Sequence, residues 1–455
     1  MSNSPSELFS SHPLMADAHL FKVGQEYFAL SVGDGGLFEI NDLQISNIEQ
    51  AMLFDDTERA MQLLAMSGVQ AAPLKLEQPP SEVTVKSLSL AIAQKCNFGC
   101  TYCYAQQGDF GMPAQNMALK IAKASVDRLI ESATEGEIIT IAYMGGEPLI
   151  NRKVLYATTE YAVQQGIKAK VKVRFALTTN GSLLTTNDIK FFQNHRFTVT
   201  LSIDGTQEEH DLLRPLKSGR GSYERVIQHI KGLLDAKPRR CRVIARVTVT
   251  PRNLKLKRAM DEFIALGFDN VLFSPVLSSP TDIDTMQEND FNIMLEQLIE
   301  CGDAFEEHIS AGKVYPLGNL INTLKRIHNY HRDTYPCGAG GGYMGVSSEG
   351  NLFACHRFVN DEAGDMGNVE TGINKDKQAT WFVERNVHNQ KPCSSCWARY
   401  MCSGGCHYES MNSGRVSCDY IRGWLHYCLG LYIRLLRTNA ELLEQALQLT
   451  DFEGG

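Results

Sequence analysis

The chain has 455 residues, 43% of them hydrophobic and 21% charged, and its 44 Lys and Arg stand against 52 Asp and Glu. That composition supports a sizeable core and excludes wholesale disorder. The net charge of −8 argues against a broad basic face for nucleic acid. No stretch approaches the roughly 18–20 apolar residues of a membrane span. The start, MSNSPSELFSSHPLMADAH, has no basic region ahead of an apolar core, so a cytoplasmic location is expected.

In chain order, residues 17–80 read as a small module. HLFKVGQEYFALSVGDGGLFEIND alternates aromatic and β-branched residues around turn signals at Gly24-Gln25 and Gly33-Asp34-Gly35-Gly36, which predicts two or three short strands. LQISNIEQAMLF and DTERAMQLLAMSG follow with apolar residues at helical spacing. The order of strands then helices suggests a winged-helix-like unit, and Gln78-Pro79-Pro80-Ser81-Glu82 suggests a linker.

Residues 86–280 alternate strand and helix. Strand-like runs at 87–94, 138–146, 171–181, 197–205, 241–250 and 270–276 are separated by amphipathic stretches. Six such units predict a parallel sheet with crossover helices, either an open doubly wound sheet or part of a (β/α) barrel. Both arrangements put function at the C-terminal ends of the strands. Residues 281–334 read as a helical bridge. Residues 335–455 are rich in Gly and Cys and poor in periodicity until Asp419, the pattern of a small region held together by metal. From Ile421 on, apolar residues at 421, 425, 429, 432, 436, 443 and 447 predict one long terminal helix.

The 13 cysteines are too few for a disulfide scaffold, and their clustering favours metal ligation. Cys241 and Cys301 stand alone and read as core residues. Cys96, Cys100 and Cys103 follow the first barrel-like strand directly. Three thiolates in one loop can hold three irons of a cubane and leave the fourth open. Structural zinc would want a fourth ligand, and none lies nearby in sequence. Tyr102 precedes the third cysteine, and Met144-Gly145-Gly146-Glu147-Pro148 ends the second strand.

Together these motifs resemble the radical S-adenosylmethionine (SAM) superfamily, marked by Cys-x3-Cys-x-aromatic-Cys and a Gly-Gly-Glu-Pro strand end. The resemblance implies a partial (β/α)6 TIM-like barrel and a [4Fe-4S] cluster on Cys96, Cys100 and Cys103 that binds SAM. It implies that Tyr102 packs near the adenine and that Gly145 and Gly146 let the backbone approach the ligand amino group, with Glu147 accepting from it. Thr179, Asn180, Ser202 and Asp204 would lie at later strand ends, near the ribose and carboxylate of SAM. Arg214 is a further candidate to pair with a carboxylate.

Cys337, Cys355, Cys393, Cys396, Cys402, Cys406 and Cys418 form an array that resembles the SPASM extension of peptide-modifying radical SAM enzymes. The resemblance implies two auxiliary [4Fe-4S] clusters, one on Cys337, Cys355 and Cys406, the other on Cys393, Cys396, Cys402 and Cys418. Cys428 either completes the first or packs in the core beside the terminal helix. In this setting the N-terminal module resembles peptide-recognition domains that capture a peptide by strand addition.

Asn351–Val359, Cys396-Trp397-Ala398-Arg399, Gly404–His407 and Cys418–Trp424 resemble the maturases of quinohemoprotein amine dehydrogenase. Those enzymes form thioethers between peptide cysteines and methylene carbons of Asp or Glu. The implied partners are a substrate peptide or small Cys-rich subunit, and an electron donor such as flavodoxin or ferredoxin. The chemistry needs a base for the thiol. Asp419, next to Cys418, is the candidate, a buried carboxylate there being suited to it; the alternative is an N-cap of the terminal helix, and His356 and Glu409 are further candidates. The rival resemblance is to anaerobic sulfatase maturases, which make formylglycine. They carry Asp where this chain has His356, and generally lack the N-terminal module.

Overall fold

The computed structural model describes residues 16–54, 56–69, 83–280 and 282–448; the linker expected at Gln78–Glu82 lies outside them. The first three strands, β1 (Ala18–Val23), β2 (Glu26–Ser31) and β3 (Leu37–Ile40), form an antiparallel sheet in the order β1-β2-β3. Helices Asp42–Leu53 and Thr57–Met66 follow, capped at their N-termini by Asn41 and Asp56.

Strand alternation gives this sheet two jobs, because successive side chains point to opposite faces. Ala18, Ala29 and Ile40 pack with Ile45, Ile48, Ala60 and Leu64 in a small core of their own. Phe21, Phe28 and Leu30 face the other way and join the main core, where burial of each is worth about 1.5–3 kcal/mol. His19 stacks on Trp397 with ring centroids 3.6 Å apart and meets His426 at 3.0 Å.

The main sheet begins with β4 (Ser87–Gln94), against whose end pairs the two-residue β5 (Gln115–Asn116). It continues through β6 (Ile138–Gly145), β7 (Lys172–Thr179), β8 (Thr198–Ser202), β9 (Arg242–Val249) and β10 (Asn270–Pro275). These parallel strands lie in the spatial order β10-β9-β8-β7-β6-β4. A sequential order with no reversal point, combined with right-handed crossovers, puts the connecting helices on one face and curls the sheet around the other. That decides between the two α/β arrangements: the sheet is an open partial barrel.

The C-terminal region is more regular than its composition suggests. β11 (Tyr343–Val346) pairs in parallel with β4, and β12 (Asn351–Phe353), β13 (Asp365–Asn368) and β14 (Gly372–Ile373) extend the sheet in antiparallel fashion. These strands are only two to four residues long, too short to leave a periodic signature. Gln94 locks the extension to the barrel. Its buried side-chain oxygen accepts from the backbone N–H of Ser348 at 2.9 Å and from the Ser348 hydroxyl. The terminal helix Cys418–Gln448 runs as expected, broken in helical geometry at Asn439. It packs against helices Glu288–Ser310 and Gly318–His328 and against β1.

Arg399, only 1% exposed, joins the first sheet to the cysteine-rich region. Its guanidinium donates to the carbonyls of Ala16 and Cys396 and lies 3.4 Å from the Asp17 carboxylate. Removing a donor from buried carbonyls costs about 1–3 kcal/mol. The Arg399→Ala variant is therefore expected to expose residues 16–69 to protease several-fold faster than wild type while the barrel resists as before. Time-resolved limited proteolysis read by mass spectrometry checks this.

Candidate active site

The site grows from the meeting of β4 and β6. At Gly145, φ is +143°, and a Cβ there would collide with the Ala93 carbonyl; one at Gly146 would collide with the Lys95 carbonyl. The backbone N–H groups of Gly146 and Glu147 donate to those same carbonyls at 2.8 and 2.7 Å. The two glycines thus serve first to let the ends of neighbouring strands touch. Gly108, which the sequence reading passed over, completes the contact. Its φ is +104°, and an added Cβ would stand 2.7 Å from Gly146 Cα and 2.9 Å from Cys96 Cβ.

Glu147 is fully buried. Its carboxylate accepts from Leu149 N (3.0 Å), Thr179 Oγ1 (2.8 Å) and Asn180 N (2.8 Å). Burial raises its pKa, against the pull of those donors. The Asn180 side chain donates to Asn97 Oδ1 at 2.9 Å and points to Cys96 Sγ at 3.9 Å, while Asn97 donates to Ser182. One carboxylate therefore ties the ends of β6 and β7 together beneath the cysteine loop.

The loop itself rests on residues 213–217. Gly99 N donates to Pro215 O, Thr101 N to Leu213 O and Lys217 N to Asn97 O. This brings Arg214, which is 8% exposed, into the interior. Tyr102 donates to Asp204, Arg214 donates to Tyr102, and the Arg214–Asp204 pair closes at 3.6 Å. Thr248 N donates to the other Asp204 oxygen at 2.8 Å. Tyr102 and Asp204 are thus bound to each other and to Arg214, the carboxylate pairing considered for that arginine. Ser202, at the end of β8, remains partly open.

Cys96, Cys100 and Cys103 stay partly open within these buried surroundings. Burial pushes the Cys100 thiol up to about 12 and raises Cys96, the three sulfurs being close enough to act on one another. Neutral thiols at such a place become ligands once a cation supplies the charge. Three convergent, half-open cysteines under a glycine cradle suit a cluster held by three thiolates.

The later cysteines divide into two neighbourhoods. Cys337, Cys355 and Cys406 act on one another electrostatically, and so do Cys393, Cys396, Cys402 and Cys418. Among the described residues no three His, Cys, Asp or Glu side chains close up around a single-ion position, so both are open groupings. Cys428 belongs to neither. It is fully buried in the core, with its thiol on Thr323 and Tyr420 nearby, so the expectation that it completes the first grouping gives way to a packing role.

Asp419 also departs from expectation. Its side chain is 94% exposed and paired with Arg422 in the first turn of the terminal helix, a place that favours an acidic residue through the helix dipole. It is not the buried carboxylate expected next to Cys418. Glu409, by contrast, is buried, though away from Cys418: 4% exposed, it pairs with Arg357 and accepts from Ser278 at 3.2 Å. His356 is half-buried, with Nδ1 2.6 Å from the Tyr343 hydroxyl. Burial, then the charges of Arg357 and Arg246, hold its pKa down at about 3.

The two ends of the cysteine chemistry meet around Tyr104, the residue after Cys103. Arg357 lies over the Tyr104 ring at 5.0 Å and the His356 ring is 6.0 Å from it, so the first cysteine loop and the Cys355 segment share one wall. Residues 90–263 match the model of the Radical SAM superfamily.

Over that stretch the chain carries a radical SAM enzyme domain. The superfamily uses SAM and a [4Fe-4S] cluster, and the donor set above suits that cluster. The radical SAM chain is 23% identical over 375 residues to the serine-type anaerobic sulfatase-maturating enzyme of Klebsiella aerogenes, spanning 78% of this chain and 87% of that protein. Its fold is similar to that of anSMEcpe with bound AdoMet, with a TM-score of 0.68 at 20% identity over 80% of this chain and 98% of that one. It is also similar to Streptococcus suis SuiB bound to the precursor peptide SuiA, with a TM-score of 0.54 at 12% identity over 87% of this chain and 95% of that one.

The glycine contact yields a prediction. Gly146→Ala forces β6 away from the Lys95 carbonyl and moves Cys96 with it. Anaerobically reconstituted G146A should therefore lose most of its SAM binding by isothermal titration, while far-UV circular dichroism stays within error of wild type.

Proposed function

We propose that this chain is a peptide maturase that forms thioether crosslinks between cysteine sulfurs and methylene carbons of Asp or Glu. The substrate class is a small Cys-rich subunit of the kind found in quinohemoprotein amine dehydrogenase. The observation that carries the reading is the shared wall at Tyr104, where the Cys96–Cys103 loop adjoins Cys355, Arg357 and Glu409. A peptide lying there would touch both cysteine groupings at once. The likeness to a structure holding a precursor peptide supports a peptide substrate.

In this reading Cys96, Cys100 and Cys103 hold the SAM-binding cluster. Cys337, Cys355 and Cys406 serve one auxiliary cluster, and Cys393, Cys396, Cys402 and Cys418 a second. Gly145, Gly146, Glu147, Asn180 and Ser202 frame the SAM position, with Tyr102 and Asp204 supporting it through Arg214. Bound and reduced, SAM and its cluster would supply a carbon radical that takes one hydrogen atom from an acidic residue's methylene; as sulfur bonds to that carbon the thiol loses its proton, and the one electron left over would pass to the auxiliary cluster and on to an external acceptor. The protein's share is positioning, exclusion of water and removal of the thiol proton. Glu409, the buried carboxylate that pairs with Arg357 two residues after Cys355, is the group assigned to that proton. The three-stranded N-terminal sheet keeps β3 as an edge, where an extended peptide can add as a further strand; its docking on Trp397 directs that peptide toward the cysteine-rich region.

The curated relatives favour a second reading, formylglycine formation. Against it, the residue after Cys355 is His356, hydrogen-bonded to Tyr343, and no carboxylate occupies that position.

The two chemistries leave different products. Incubation of the reconstituted enzyme, reductant and SAM with the small subunit is expected to remove two hydrogens per crosslink and to leave the joined cysteines unreactive to alkylation. A product that reacts with hydrazide would establish the sulfatase-type reaction instead. Glu409→Gln is expected to slow crosslinking by about 100-fold or more while formation of 5′-deoxyadenosine continues, measured by chromatography of the same mixtures.

A further inference from the structure

The barrel lumen holds an arginine whose countercharge is missing. Along β9, Val243, Ala245 and Val247 are buried under the helices, so Ile244, Arg246 and Thr248 face the other way, into the lumen. Arg246 pairs in register with Ser202 at the end of β8. Solvent reaches its side chain through the lumen, yet protein surrounds it closely enough that burial, together with the Arg357 charge, holds its pKa below the ordinary arginine range.

Other arginines around the barrel, less exposed than Arg246, are matched to carboxylates. Arg152 pairs with Asp188 at 2.6 Å, Arg252 with Asp284 at 3.2 Å, Arg214 with Asp204 at 3.6 Å, and Arg357 with Glu409. Arg246 has no Asp or Glu partner among the described residues. The charged or titratable groups near it include Arg357, which repels it, the His356 ring beside Arg357, and Tyr104 and Cys406, which lie on the cysteine loop and in the first C-terminal grouping.

A guanidinium that faces a partly enclosed lumen can take an anion there more strongly than in open water, and its planar fork suits a carboxylate. Here it stands between the two cysteine groupings, on a rigid strand, with its donors unused. We infer that Arg246 is the residue that binds the carboxylate of the acidic substrate side chain, holding the adjacent methylene toward the SAM position. This rests on the thioether reading for its substrate and adds the determinant of its preference for Asp and Glu. The same carboxylate chemistry is offered by the methionine end of SAM, and the test separates the two sources.

The test uses the reconstituted holoenzyme with SAM, wild type, Arg246→Gln and Arg246→Lys. Binding of the small subunit is compared with that of a counterpart carrying Asn and Gln in place of its crosslinking Asp and Glu, by fluorescence anisotropy. SAM affinity is measured separately. Wild type is expected to favour the acidic form by about ten- to hundredfold, the value of one charge-assisted contact. R246Q should abolish that ratio and R246K retain part of it, with SAM affinity unchanged in both. Iron content and circular dichroism identify any variant that fails to fold, and the wild-type ratio stands independently of them. Equal binding of the two forms by wild type overturns the inference, as does weakened SAM affinity in R246Q with the ratio intact. Discrimination without any crosslinked product would sink the thioether reading while leaving the role of Arg246 in place.

Discussion

The architecture of the site depends on one buried carboxylate. Glu147 sits where β6 ends against β4, and three donors from two strand ends converge on it. A fully buried acid costs several kcal/mol unless its oxygens are occupied, so this position is stable only with β6 and β7 in their present relation. The glycines beside it remove the side chains that would hold the strands apart. The cysteine loop inherits its place from that contact, through Asn180 and Asn97 on one side and Gly108 on the other.

The same logic of shared walls organises the rest of the molecule. β11 adds to the free side of β4 and carries Cys355 up beside the cysteine loop; a Cβ on Gly345 would meet the Cys355 backbone at 2.8 Å. The N-terminal sheet contributes one face to its own helices and the other to the main core. Through His19 and Arg399 it reaches the segment around Cys396 and Trp397. The N-terminal sheet, the first cysteine loop and both later groupings are thereby packed into one body, which the proposed joining of two residues of one peptide would require.

The strands of the barrel were legible in the sequence because buried parallel strands are continuous apolar runs bounded by turn residues, and all six appear within a few residues of the expected bounds. The cysteine loop and the Gly-Gly-Glu ending were legible because their residue types are uncommon in that spacing. What escaped depends on contacts between distant segments. Gly108 looks like any turn glycine until Cys96 and Gly146 are placed against it. Arg246 looks like one polar position in an alternating strand until its missing partner is noticed. Asp419 read as buried because Cys418 precedes it, yet adjacency in sequence does not fix which way a helical residue points. Cys428 lies on the terminal helix's apolar face, and packing there outweighs ligation.

The proposed chemistry needs one SAM-binding cluster on Cys96, Cys100 and Cys103 and two more clusters in the C-terminal region. Iron, acid-labile sulfide and zinc, measured on anaerobically reconstituted protein and on the variant with Cys96, Cys100 and Cys103 all changed to Ala, test it most directly. Three cubanes require about twelve irons in the wild type and about eight in the variant, with zinc absent from both. About four irons in the wild type, with zinc retained by the C-terminal cysteines, would rule out the two auxiliary clusters.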